Sequence, residues 1–201
     1  VGGDRDSLRL RPDDEELIRR TAAANPRTVV VLLAGAAVTM PWAADAPAVL
    51  LAWYPGMEGG SALADVLLGA DEPGGRLPFA VPVDEADLPP FDKHATEVVY
   101  DRWYGQRKLD RDGIAAAYPL GFGLSYTRFT IGDVSVHTAG EGLAVSATVT
   151  NHGDRAGGHV VQVYGWREGV ERVLLGFTRV ELPAGAESRV DLAVPLAGLS
   201  T

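Results

Sequence analysis

A chain of 201 residues is long enough for one large domain or two small ones, and a hydrophobic content of 46% is that of a globular protein. Its 18 basic and 27 acidic residues give a net charge of −9, a field that repels phosphate backbones and anionic lipid, so neither nucleic acid nor a membrane is expected as partner. Cysteine is absent, which excludes disulfides and thiolate metal sites and leaves the compartment, cytoplasmic or secreted, undecided.

Val1 to Leu10 has neither a basic start nor an apolar stretch, so no signal peptide is read there. Pro12 to Ala24 predicts a helix: Pro12 suits the first turn, Asp13, Asp14, Glu15 and Glu16 favour the positive end of the dipole, and Arg19 and Arg20 lie towards the negative end. Asn25-Pro26 stops it. The apolar run from Thr28 to Met40 falls short of the roughly 20 residues of a spanning helix. Its first part, Thr28 to Leu33, lacks alternation and predicts a parallel strand buried on both faces. Pro41 to Ala44 predicts a short helix, and Ala48 to Trp53 a second strand. Helix, strand, helix, strand, helix is the order of a layered α/β sheet.

A glycine-rich turn, Gly56-Met57-Glu58-Gly59-Gly60, leads into the next helix. Bare amides at a helix start can bind phosphate, but these glycines lack dinucleotide spacing, no Lys-Ser or Lys-Thr pair follows, and Glu58 brings negative charge. The turn therefore predicts close packing of the helix on the sheet, with Leu63, Val66 and Leu67 as its buried face. An irregular stretch follows, from about Pro82 to Ser125. After about Tyr126 the period changes to two. Leu143, Val145, Ala147 and Val149 alternate with polar or small residues, and Asn151 to Asp154 and Pro183 to Gly185 read as turns. Strands at Val161–Tyr164, Val173–Leu182 and Val190–Val194 complete the pattern of an antiparallel β-sandwich.

Several segments, taken in order, resemble glycoside hydrolase family 3: Gly3-Asp4-Arg5-Asp6-Ser7-Leu8-Arg9-Leu10, Asn25-Pro26-Arg27-Thr28-Val29-Val30-Val31-Leu32, and Trp53 to Gly69 with Pro73-Gly74-Gly75-Arg76-Leu77-Pro78. Tyr118 to Thr127 is similar to the family's Pro-Phe-Gly-x-Gly-Leu-Ser-Tyr-Thr boundary, with Leu120 in place of Phe. Val149 to Gly153 and Leu175-Gly176-Phe177 with Pro183 to Ala186 resemble its fibronectin type III-like module. The resemblance implies an α/β three-layer sandwich, mostly parallel with helices on both faces, followed by an antiparallel β-sandwich of fibronectin type III/immunoglobulin-like type. The expected boundaries are 1–95 for the first domain, 96–125 for a connecting segment and 126–201 for the second domain.

The family hydrolyses small β-linked glycosides with retention, using two carboxyl groups roughly 5–5.5 Å apart. By the resemblance the nucleophile belongs to a TIM-like barrel, which this sequence does not encode, and the acid/base glutamate precedes the Asp-Arg pair, where three places before Asp4 stands Val1. No catalytic residue is assigned. The resemblance thus implies a chain cut at both ends, inactive without its barrel, whose last strands are missing so that Val190, Leu192 and Val194 are partly uncovered. Its expected ligand, through the full enzyme, is a small β-glycoside or oligosaccharide; a homodimer is left open. A non-catalytic carbohydrate-binding or scaffold module, or a subunit of a split glycosidase, are the alternatives.

Four residues are candidates for substrate binding. Asp4 and Arg5 either line the cleft or fix a loop by hydrogen bonds. Trp103 and Tyr104, in Tyr100-Asp101-Arg102-Trp103-Tyr104-Gly105-Gln106-Arg107, either stack on sugar rings or pack at the domain junction. Glu58 reads as a residue beside a helix start. His94, His137, His152 and His159 lack metal-ligand spacing, and no metal or cofactor is expected. Trp42 and Trp53 read as core, and Trp166 as exposed.

Overall fold

In a computed structural model of the chain, residues 5–92, 94–166 and 172–196 are described. The chain divides into two compact units, Val1–Leu68 with Pro78–Leu120, and Gly69–Leu77 with Gly121–Thr201.

In the first unit, α1 spans Pro12–Ala24 with Pro12 at its start and Asp13, Asp14 and Glu15 in its first turn. Its last turn carries no basic residue; Arg19 instead reaches back one turn to Glu15, at 3.2 Å. Strands β1 (Val29–Leu32) and β2 (Ala48–Leu51) pair in parallel, with Val29 opposite Ala48 and Leu32 opposite Leu51. Burial on both faces does not hold: Val29 and Leu33 are 45% and 64% exposed, and within β1 only Leu32 is buried. The short helix expected at Pro41–Ala44 is a run of turns, with Ala43 N–H on the Met40 carbonyl at 2.9 Å and Asp45 N–H on that of Trp42 at 2.9 Å.

Helix α2 (Gly59–Leu68) follows β2 as expected, but its apolar face is only half-covered: Leu63 and Val66 are half-buried, and Leu67 is 45% exposed. Gly59 is the buried residue of this helix, and a Cβ there would meet the Pro55 ring at 2.6 Å. The close approach that this glycine permits is therefore to the preceding turn, where a packing contact with the sheet was expected. Within the stretch read as irregular, the structure forms a seven-residue helix, α3 (Gln106–Asp112), which buries Leu109 completely and ends at Gly113 with φ 68°. Val81 and Tyr118 pair as an antiparallel bridge and close the unit.

Trp42 is fully buried, as expected, and so is most of Thr39. Among the described residues, Thr39 Oγ1 has no hydrogen-bond partner. A buried hydroxyl without a partner costs about 1–3 kcal/mol, so Thr39→Val should raise stability by about 1 kcal/mol, read as a higher urea midpoint; a lower midpoint would show that the hydroxyl is satisfied.

The second unit contains β3 (Phe129–Ala139), β4 (Gly142–Asn151), β5 (Gly157–Trp166), β6 (Arg172–Leu182) and β7 (Glu187–Pro195). They form an antiparallel β3-β4-β7 sheet and an antiparallel β5-β6 ladder. One apolar cluster draws on both: Val145, Ala147 and Val149 of β4, Val161 of β5, Leu182 of β6, and Val190, Leu192 and Val194 of β7. The last three are 9%, 9% and 1% exposed, which corrects the expectation that they are partly uncovered; all point inward from β7 into this cluster. β3 carried no clear alternation because a register shift between Gly132 and Ser135, with Asp133 at φ 47°, breaks its period.

Gly69–Leu77 is stitched into this unit by backbone and side chains. Leu77 N–H donates to Phe122 and Gly121 N–H to Leu77, both at 2.8 Å, Arg155 donates to the Gly69 carbonyl at 2.6 Å, and the Glu72 carboxylate accepts from Ser125 Oγ and Gly158 N–H. Gly121 has φ 82°, and any Cβ there would run into Gln162 Oε1 and the Tyr164 hydroxyl, so the boundary motif needs glycine at this place.

Candidate functional site

The two parallel strands of the first unit end at neighbouring loops, 33–39 after β1 and 52–58 after β2. In open parallel sheets, ligands gather at the carboxyl ends of the strands. The segment that begins at Arg5 lies along the first of these loops: Arg5 Nη2 donates to the Ala37 carbonyl at 2.8 Å, and Thr39 N–H donates to the Leu8 carbonyl at 3.0 Å. Asp4 lies outside the described residues. Arg5 itself is exposed.

The segment is held from a second side. Glu85, in a single 3-10 turn (Glu85–Asp87), accepts from Ser7 Oγ at 2.8 Å with one carboxylate oxygen and from Leu8 N–H at 2.6 Å with the other. Ser7 Oγ in turn accepts from Arg9 N–H at 3.1 Å. Arg9 then grips Glu15 with two guanidinium nitrogens, through Nε at 3.0 Å and through Nη2. Glu15 is only 2% exposed; its hydrogen bonds from Arg9, above all, and then from Arg19 hold its carboxyl below the usual glutamate range although burial pushes the other way.

At the end of β2, Trp53 is half-buried and has φ 54°, a left-handed backbone rarely adopted by a bulky residue, and its ring meets Phe79 edge-on at 5.4 Å. Strain of this kind collects at ligand sites, and it is a feature that reading Trp53 as core does not contain. Tyr54 is 81% exposed and its ring lies against Gly35, so the loops after β1 and β2 touch there. Glu58 is exposed, and its carbonyl accepts from Ala62 N–H at 2.9 Å, which opens the α2 ladder and puts its charge at the favourable end.

The aromatic segment is built differently. Trp103 is half-buried, its backbone N–H donates to Asp101 Oδ1 at 2.7 Å, and the guanidinium carbons of Arg102 and Arg111 stand 4.7 and 5.0 Å from its ring centre. Both guanidiniums are within cation–π distance of the ring. Arg111, with Lys108 second, holds the Asp112 carboxyl down to about 2. Tyr104 is 53% exposed and meets Tyr100 edge-on at 6.3 Å. Gln106 is a bridge: its amide nitrogen donates to Asp110 at 2.7 Å and its oxygen accepts from Leu120 N–H at 3.0 Å.

Among the described residues, no hydrogen bond or ring contact joins Arg5 to Trp103 or Tyr104. No group of three or more His, Asp or Glu side chains among them could hold a metal, and no helix is long and apolar enough to cross a membrane. His152 meets Thr130 Oγ1 at 2.7 Å, and burial, followed by the charge of Arg76, pushes the pKa of half-buried His159 down. Glu85 and Glu15, which build the loop, were not singled out by their sequence context; the signal that could have found Glu15 is an acid at a helix start facing two arginines at spacings of six and four residues.

The model of the glycosyl hydrolase family 3 C-terminal domain matches residues 2–126. A probable β-glucosidase I of Aspergillus terreus is 41% identical over 96% of this chain and 25% of its own length, and a β-glucosidase of Rhizobium radiobacter is 40% identical over 96% and 26%. Among solved structures, the family 3 β-glucosidase of Bifidobacterium adolescentis superposes with a TM-score of 0.84 at 36% identity, over 95% of this chain and 30% of that one. The β-glucosidase of Kluyveromyces marxianus in complex with glucose superposes with a TM-score of 0.86 at 36% identity, over 96% and 24%. The chain spans about a quarter of the length of the curated relatives it matches. On the strength of the match over residues 2–126, the chain belongs to glycosyl hydrolase family 3 and corresponds to a C-terminal portion of its β-glucosidase-like members.

Proposed function

We propose that the chain serves as the C-terminal portion of a retaining β-glycosidase of β-glucosidase type, acting on O-glycosidic bonds of small β-glycosides or oligosaccharides. The observation that carries this reading is identity of about two residues in five to β-glucosidases along 96% of the chain. The retaining mechanism requires a nucleophilic carboxylate and an acid/base carboxyl roughly 5–5.5 Å apart. In this reading both come from outside the chain, the nucleophile from a TIM-like barrel, while Asp4, Arg5, Trp103 and Tyr104 close one side of the sugar site. In this reading residues 1–95 belong to a three-layer α/β sandwich, 96–125 connect, and 126–201 form a fibronectin type III-like β-sandwich; the parallel β1–β2 pair with α1 and α2, and the two antiparallel sheets sharing one apolar cluster, support the two fold types.

The test is hydrolysis of p-nitrophenyl β-D-glucopyranoside. The full gene product should turn over and the isolated 201-residue chain should not. Turnover by the isolated chain, abolished by removing one of its own carboxylates, would overturn the assignment of catalysis to groups elsewhere. Trp103→Ala in the full product should raise KM up to about tenfold, the equivalent of the 0.5–1.5 kcal/mol carried by one aromatic stacking contact, with kcat little changed. An unchanged KM would remove Trp103 from the sugar site and leave it as the partner of Arg102 and Arg111.

A second reading, a non-catalytic carbohydrate-binding module, is favoured by Trp166 and Phe177, which stand on the β5–β6 ladder 70% and 67% exposed. Saturable binding of a cello-oligosaccharide to the isolated chain, lost in Trp166→Ala, distinguishes it.

A further inference from the structure

We infer that Glu85 is a positioning residue for the proposed glycosidase site, setting the place of the Arg5–Leu8 segment at the carboxyl end of β1. The inference rests on the glycosidase reading above.

Arg5 to Leu10 has no helix or strand of its own, so its path is decided by whatever its polar groups bond. Both oxygens of one carboxylate are committed to it, from a residue 77 and 78 positions away in sequence. Bonds to an ionised acceptor are about twice as strong as neutral ones, and two from one rigid group fix orientation as well as distance. Glu85 is itself immobilised: Asp84 caps its turn through Ala86 N–H at 2.9 Å, and Leu88 N–H donates back to the Glu85 carbonyl at 3.1 Å.

The neighbouring ties act along the same segment. Ser7 passes the constraint to Arg9, and Arg9 to the buried Glu15, so the downstream end is fixed on α1. Upstream, Arg5 donates to the Ala37 carbonyl. Removing the Glu85 carboxylate would take away both bonds that hold Ser7 and Leu8 from this side, while the Arg5–Ala37 and Thr39–Leu8 bonds remain and Arg9 and Glu15 still hold the helix start. Loop geometry at the strand end is therefore separable from the stability of the unit. Binding groups must be held within about 0.5 Å of productive geometry, and a displacement of about 1 Å costs on the order of a hundredfold in rate.

The experiment compares wild-type, Glu85→Ala, Glu85→Gln and Ser7→Ala forms of the full gene product by kcat and KM on p-nitrophenyl β-D-glucopyranoside, amide exchange at Leu8, and melting temperature. Glu85→Ala should lower kcat/KM by about ten- to a hundredfold, speed exchange at Leu8 by at least about tenfold, and leave the melting temperature within a few degrees. Glu85→Gln, whose amide oxygen can still accept from Leu8 N–H and whose nitrogen can donate to Ser7 Oγ but which lacks the charge, should recover part of both losses. Ser7→Ala should give a smaller loss, and these two variants carry the test should Glu85→Ala not fold. Wild-type kcat/KM in Glu85→Ala, or a loss that follows the unfolded fraction and is not recovered in Glu85→Gln, overturns the role. A wild-type product with no turnover overturns the glycosidase reading and this role together, whereas turnover that Glu85→Ala leaves intact overturns the role of Glu85 alone.

Discussion

Asn151→Ala should destabilise the second unit by about 3–4 kcal/mol, seen as a fall in its urea midpoint at unchanged slope. The side chain is fully buried and every part of it is used. Its oxygen accepts from Thr127 Oγ1 at 2.6 Å and Gly153 N–H at 3.0 Å, and its nitrogen donates to the carbonyls of Arg155, Leu182 and Pro183 at 2.9, 3.1 and 3.1 Å. One amide thus ties the end of β4 to the turn before β5 and to the end of β6. A net hydrogen bond contributes about 1 kcal/mol, but truncation leaves groups such as the Thr127 hydroxyl buried without a partner, and the cost of that desolvation puts the total near the upper end for a single change. Asn151→Asp is the sharper control, because it keeps the shape and the acceptor, removes the donors, and turns a charge toward three carbonyl oxygens. It should be no better than alanine. A loss below about 1 kcal/mol in both would show that water replaces the network.

Asn151 illustrates what a sequence does and does not disclose. Read along the chain it is the first residue of a turn, Asn-His-Gly-Asp, and the turn is real. Its partners at Leu182 and Pro183 lie more than thirty positions away, and no local pattern announces them. The same division runs through the fold. Period-two alternation located β4, β5, β6 and β7 because one face of each meets the apolar cluster, and it missed β3, which is exposed over most of its length and broken by its register shift. Helix α1 was legible to the residue, from Pro12 at one end to Asn25 at the other. Helix α3 was not, since seven residues bearing one buried leucine make no periodic signal. At the candidate site, Arg5 could be named from the Asp-Arg-x-x-Leu-x-Leu pattern, but Glu85 could not, because a lone glutamate in Asp-Glu-Ala-Asp looks like solvated surface until the fold brings Ser7 and Leu8 to it.

Glu15→Gln carries the other large effect, and its dependence on pH separates charge from shape. At pH 7 the substitution should lower the stability of the first unit by about 2 kcal/mol: bonds from charged donors are worth about 1.5–3 kcal/mol, discounted because the exposed sides of Arg9 and Arg19 regain water. The pKa of Glu15 is lower in the folded chain than in an unfolded one, chiefly through the Arg9 hydrogen bonds. A carboxyl with a depressed folded pKa contributes stability that is complete above its unfolded pKa, about 4.3, and is lost as pH falls through the folded value. The difference between wild type and Glu15→Gln should therefore be constant from about pH 8 to about pH 5, shrink below that, and be nearly gone once both forms of the chain are protonated at this position. Urea midpoints at pH 7, 5 and 3 measure it. A difference that is the same at all three would mean that the glutamine fails on packing, and that the arginine clamp on Glu15, which fixes the downstream end of the Arg5–Leu10 segment, works without its charge.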